Sequence, residues 1–149
     1  MFKVIIWASD GSEHADRALD YARELAQANS AKLIAVHVKE MSVGRAAGYP
    51  VQIDEEEVEQ KIEGQARDLK DAGVNASYEQ LGTTAGGAAH ALADAAEEAG
   101  GELIVVGTRG QGPISGLLLG SVTQRLLHVA PCPVLAVPPS RPRNENVQS

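Results

Sequence analysis

Four times along the chain a short aliphatic run gives way to a segment with small apolar residues at helical spacing, and a fifth run closes the series. Such alternation requires a parallel sheet covered by helices on both faces. Lys3 to Ala8 (Lys-Val-Ile-Ile-Trp-Ala) is the first run, β-branched and almost continuously apolar, as a doubly buried strand must be. Lys32 to Val38 and Leu103 to Val106 read the same way, Val74 to Leu81 alternates weakly, and Pro133 to Val137 is the fifth strand. The first helix carries Ala15, Ala18, Leu19, Ala22, Leu25 and Ala26 on one face. Asp10 or Ser12 caps it, and Asn29-Ser30 stops it. A second helix spans Asp54 to Lys70, opening on an acidic cluster that suits a helix N-terminus. Thr83-Thr84 offers a cap to a third, whose stripe is Ala88, Ala89, Leu92, Ala93 and Ala96; the fourth runs from Val122 to Val129. Residues 39–53 show no period and read as a long loop.

Crossovers between parallel strands are right-handed, so five strands suit a doubly wound α/β sandwich of order 3-2-1-4-5. Its switch point falls between the first and fourth strands, and ligands bind there, at the carboxyl ends. The two most unusual loops follow those same strands: Ala8-Ser9-Asp10-Gly11-Ser12, and the stretch from Gly107 to Ser121.

Length bounds the rest. At 149 residues the chain is one domain, placed at residues 1–139, with a polar, flexible tail at 140–149. Cys132 is the sole cysteine, which excludes disulfides and a cysteine-rich metal site, and it reads as a small hydrophobe. The N-terminus lacks the features of a signal peptide, and no apolar run is long enough to span a bilayer. A cytoplasmic protein without stable membrane insertion is expected. Thirteen basic against 20 acidic residues give a net charge of −7, which argues against nucleic-acid binding. Yet from Leu103 to Pro139 there is no Asp or Glu, while Arg109 and Arg125 lie inside. That segment is either plain core or a place for an anion. The histidines (His14, His37, His90, His128) have no ligand spacing, and His128 complements the end of its helix.

The acid-free segment contains Gly107-Thr108-Arg109-Gly110, nine further residues, then Gly120-Ser121-Val122-Thr123. Gly107 lets a ligand lie against bare backbone, and Gly110 can take the positive φ of a tight turn. Gly120-Ser121 opens a helix, so its N–H groups with the Ser121 and Thr123 hydroxyls make a phosphate cradle, and Arg109 supplies positive charge. The competing reading is glycines that serve only close packing. Neither GxGxxG, GxxxxGK(S/T) nor GxSxG occurs at the required place, and the acidic pair and lysine of a phosphoacceptor domain are missing.

With this spacing the chain resembles the universal stress protein family, whose ATP-binding branch carries Gly-x2-Gly-x9-Gly-(Ser/Thr), matched by Gly107, Gly110, Gly120 and Ser121. Asp10-Gly11-Ser12, Val36-His37-Val38 and the segment from Cys132 to Pro138 extend the resemblance over residues 2–138. The resemblance implies that Ala8, Ser9, Asp10 and Val38 border adenine and ribose, and that Val106, Gly107, Arg109 and Gly110 line the ribose and phosphate turn. It further implies that Gly120, Ser121, Val122 and Thr123 hold the phosphates of ATP or AMP, with Mg²⁺ shared by them. A nucleotide-responsive stress or regulatory module with a protein partner is the expected function. A slow ATP hydrolase or self-phosphorylating enzyme is the alternative, disfavoured because only Asp10 offers a base and the P-loop lysine is missing. No catalytic residue is assigned. The fifth strand lies at a sheet edge without charge to blunt it, so a homodimer through that strand is expected, broken by Leu135→Lys or Val137→Lys.

Overall fold

The computed structural model describes residues 1–41, 55–84, 87–109 and 120–140. Its elements are β1 (Val4–Ala8), α1 (Glu13–Asn29), β2 (Lys32–Met41), α2 (Glu55–Asp71), β3 (Asn75–Thr84), α3 (Ala88–Ala99), β4 (Leu103–Gly107), α4 (Ser121–Val129) and β5 (Val134–Val137). The five strands form one sheet in the order β3-β2-β1-β4-β5, and every pairing is parallel. This is the doubly wound sandwich that the alternating pattern requires.

Side chains alternate across a strand, which explains why the runs are continuously apolar. On one face Ile5, Trp7, Leu33, Ala35 and Val105 pack against α1 and α2, through Ala18, Ala22, Ile62 and Leu69. On the other, Ile6, Ala8, Ile34, Val36, Ile104 and Val106 meet α3 and α4, through Ala89, Leu92, Ala96 and Leu126. The small residues of the helices let them lie close to the sheet. Trp7 belongs to the first face, fully buried, and its indole Nε1 donates to the Ala15 carbonyl at 2.9 Å.

Ser12 caps α1, accepting from the Ala15 N–H at 3.3 Å, while Asp10 Oδ1 accepts from the Ser12 N–H at 3.0 Å. Both residues singled out as caps thus act at this turn, with Ser12 the cap itself. The helix stops at Ser30, which takes a left-handed conformation (φ 51°) and donates back to Ala26 and Gln27.

One sequence expectation fails. Thr83 and Thr84 do not cap α3; they are the last residues of β3, paired with Glu40 and Met41 of β2. Strands β2 and β3 hydrogen-bond over ten residues each, and the β-branched threonines serve that ladder. Gly87 stands at the N-cap of α3 with no side-chain bond. The expected loop also loses residues 39–41 to β2, and its remainder lies outside the described residues, as do Asp54, Gly110 and residues 141–149 of the tail.

Candidate functional site

Beyond Trp7 and Val105 the two central strands part company. Ser9 donates its N–H to Val36 of β2 at 2.9 Å, whereas Thr108 donates to Val137 of β5 at 3.0 Å. The chain leaving β1 follows one neighbour and the chain leaving β4 the other. A crevice opens between them, at the switch point of the sheet.

Ala8, Val38 and Val106 all project on the α3/α4 face of their strands, so three of the residues expected at adenine and ribose share one side of this crevice. Ala8 and Val106 are buried and Val38 is half-buried. Trp7, between Ile6 and Ala8, points to the opposite face and leaves that side to smaller residues.

The end of β4 and the start of α4 are tied together. Gly120 donates its N–H to the Thr108 carbonyl at 2.7 Å, and the buried Thr123 Oγ1 donates to the Gly107 carbonyl at 2.8 Å. Gln124 makes the first intrahelical bond, to Gly120. Within the first turn the N–H groups of Ser121, Val122 and Thr123 therefore lack helical partners. Gly120 supplies no side-chain cap, and no acidic residue lies in this turn. The helix itself thus brings neither a capping side chain nor a carboxylate to its positive end. Backbone donors grouped at a helix N-terminus favour an anion, phosphate included.

Gly107 has a structural duty that spacing alone does not reveal. A Cβ at this position would stand 3.0 Å from the His14 backbone, so any other residue would require α1 to draw back from β4 by a few tenths of an ångström. Thr123 likewise serves the fold, since its hydroxyl hydrogen is directed to Gly107, leaving its oxygen lone pairs for other contacts. Ser121 is exposed, and Arg109 is half-buried beside the crevice. Gly110 lies outside the described residues.

The loop after β1 is held from within and from behind. Ser9 Oγ accepts from the Gly11 N–H at 3.1 Å, and Gly11 takes a φ of 81° that strains any side chain. Val58 of α2 packs where a Gly11 Cβ would lie, at 3.0 Å. Lys61 donates to both the Gly11 carbonyl and Asp16, each at 2.8 Å. The sequence reading missed one participant, His37, buried to 3% exposure. Its Nδ1 lies 2.9 Å from the Ser9 carbonyl and its Nε2 lies 2.9 Å from Glu55 Oε2. The available signal was a lone imidazole within the apolar run Leu33 to Val38.

Away from the crevice, burial pushes the Cys132 thiol up, which suppresses the reactive thiolate and accords with a packing role. Burial, then the carboxylates of Glu59, Glu63 and Glu55, also raise Tyr78 on β3. His128 lies in the last turn of α4, as expected for a helix C-terminus. Among the described residues no group of three or more His, Cys, Asp or Glu could hold a metal ion, and no helix is long and apolar enough to cross a membrane.

Comparison with known proteins fixes the kinship. A universal stress protein of Thermus aquaticus is 39% identical over 139 residues, covering 92% of this chain and 99% of its own. The solved structure of hypothetical protein MJ0577 superimposes with a TM-score of 0.76 at 23% identity, covering 95% of this chain and 99% of that one, a likeness of fold. A universal stress protein solved in complex with cAMP matches with a TM-score of 0.66 at 27% identity, covering 91% of this chain and 97% of that one. With residues 1–138 matching the family as a whole, the chain belongs to the universal stress protein family.

Proposed function

We propose that this protein binds an adenine nucleotide, ATP or AMP, in the crevice between β1 and β4, and that the bound nucleotide regulates its association with a protein partner in the cytoplasm. The observation that carries this reading is the uncapped, acid-free first turn of α4 at the switch point. The phosphates lie against Ser121, Val122 and Thr123, and the base lies towards Ala8 and Val38. The related protein solved with cAMP supports the choice of an adenine nucleotide.

Mg²⁺ fits this donor set as an ion that arrives with the nucleotide. It keeps several waters and is held by phosphates with one or two protein oxygens, without needing an all-protein cage. Among the described residues the exposed Ser121 hydroxyl, in the turn from Gly120 to Thr123 that would hold the phosphates, would be one such oxygen. The module reading is preferred over hydrolysis because the sequence lacks the P-loop lysine that fast phosphoryl transfer uses.

The test is mass spectrometry of the nucleotide that copurifies with the protein, followed by a turnover assay on it. A retained ATP or AMP that is not turned over is the expected result. An empty protein that takes up neither nucleotide in calorimetry would refute the reading, and rapid hydrolysis would replace it by an enzyme.

The protein is further proposed to act as a homodimer through β5. That strand ends the sheet order, and Val134, Leu135 and Ala136 are only half-buried. Leu135→Lys is expected to give monomers by light scattering, and a wild-type monomer would rule the interface out. Val137 is no longer a useful target, because it is a core residue with 2% exposure, and lysine there would disrupt folding itself.

A further inference from the structure

The loop that follows β1 is closed by short bonds of its own. The Gly11 N–H donates to Ser9 Oγ at 3.1 Å, and the Ser12 N–H donates to Asp10 Oδ1 at 3.0 Å. Two of its carbonyls are taken by the helices. The Asp16 N–H of α1 donates to the Ser12 carbonyl at 3.1 Å. Lys61 of α2, 50 residues along the chain, donates to the Gly11 carbonyl at 2.8 Å.

An ammonium on a flexible stem, with the side chain 40% exposed, stays on a carbonyl only if something holds it there. Asp16 does so. Its Oδ2 lies 2.8 Å from Lys61 Nζ, and its Oδ1 accepts from Gln65 Nε2 at 2.9 Å. Gln65 stands one turn beyond Lys61 on α2, and its buried Oε1 has no hydrogen-bond partner among the described residues. Turning that amide over would set its oxygen against the carboxylate, so its orientation serves Asp16. Val58, one turn before Lys61, packs where a Gly11 Cβ would lie, at 3.0 Å. Residues 58, 61 and 65 share one face of α2, and that face grips the first loop and the helix it opens.

We propose that Lys61 is a positioning residue for the nucleotide site: its ammonium, steered by Asp16, fixes the Gly11 carbonyl and with it the loop from Ser9 to Ser12 beside the crevice. This rests on the adenine-nucleotide reading of the crevice. On that reading the base lies towards Ala8, where this loop begins, so loosening the loop costs affinity for the nucleoside part of the ligand. A lysine acting as a bare positive charge would behave otherwise. It would attract the phosphates of ATP and be indifferent to neutral adenosine. The two roles therefore separate on the choice of ligand.

The test is calorimetric titration of the full chain and of Lys61→Met with ATP and with adenosine, alongside ¹⁵N NMR of both proteins without ligand. Methionine keeps the apolar stem and removes the donor, at a position exposed enough to leave the fold intact. Both ligands should bind roughly three- to tenfold more weakly, and by the same factor, the size of one hydrogen bond from a charged donor that solvent partly screens. The Gly11 and Ser12 amide resonances should shift in the variant. Asp16→Asn should give a smaller loss of the same kind, and little further loss on top of Lys61→Met, because the two changes break one clasp. A loss for ATP with adenosine unchanged would overturn the proposal, making Lys61 a charge for the phosphates. Equal affinities in wild type and Lys61→Met would overturn it too, and fully additive losses would remove Asp16 from it. If the wild type binds neither ligand, the nucleotide reading falls and the amides decide the clasp alone: shifted resonances uphold it and unmoved ones refute it.

Discussion

The two helices that flank the switch point begin in opposite ways. Helix α1, after β1, has the Ser12 cap, with Glu13 and Asp16 in its first turn. Helix α4, after β4, opens on a glycine with no side-chain cap and no acidic residue. The chain caps the first terminus itself and leaves the second, where the phosphates are proposed to lie, without a side-chain cap. Helix α3 also begins on an uncapped glycine, but it follows β3 at the sheet edge, away from the parting of β1 and β4. An open helix terminus acquires meaning only from where the topology puts it.

Substitutions can break that contrast. The largest effect is expected for Gly120→Asp, which gives α4 a cap of the kind α1 already has. Gly120 sits at φ −57° and ψ 149°, where any residue is comfortable, and Asp is a preferred cap. Nucleotide binding should be abolished in calorimetry while the unfolding midpoint stays unchanged or rises. Unchanged ATP affinity in the folded variant would show that the phosphates lie elsewhere.

The hydroxyls sharpen the contrast. Ser121→Ala should weaken ATP far more than adenosine, by about 1.5–3 kcal/mol for each bond lost to a charged oxygen. Adding Thr123→Ala should extend that loss and also lower stability, since the Gly107 carbonyl then loses its donor. Equal weakening of ATP and adenosine would reverse the orientation of the nucleotide in the crevice.

Two smaller effects belong to the scaffold. Gly107→Ala forces a methyl against the His14 backbone and should cost about 1–3 kcal/mol in urea denaturation. Wild-type stability would mean that α1 can move away from β4. Ser12→Ala removes the α1 cap and should cost about 1 kcal/mol, without the loss of ATP binding expected at Gly120. A variant that keeps its stability but loses ATP would make the first loop, and not α4, the principal binding element.

Glycine is where sequence and structure diverge most instructively. Gly120 is legible from its place before a helical pattern, and the structure puts it at that helix terminus. Gly107 belongs to the same spacing, yet the side where its Cβ would stand is filled by His14. One motif thus mixes an uncapped helix terminus with a requirement of packing, and spacing does not separate the two. Thr83-Thr84 misled for a related reason: threonine suits both a cap and a strand end, and β2 decided between them by offering ten residues of ladder.

By itself the sequence determined the alternation of strands and helices, the sheet order that follows from right-handed crossovers, and the loop pair at the switch point. These depend on periodicity and chain continuity, which are local properties. Only the tertiary structure decided that His37 meets the Ser9 carbonyl 28 residues earlier and Glu55 18 residues later. Those contacts arise from parallel register and from the seating of α2 on the sheet, where side chains distant in sequence become neighbours. The hydrogen-bonding needs of an imidazole are written in its chemistry, but its partners are chosen by packing.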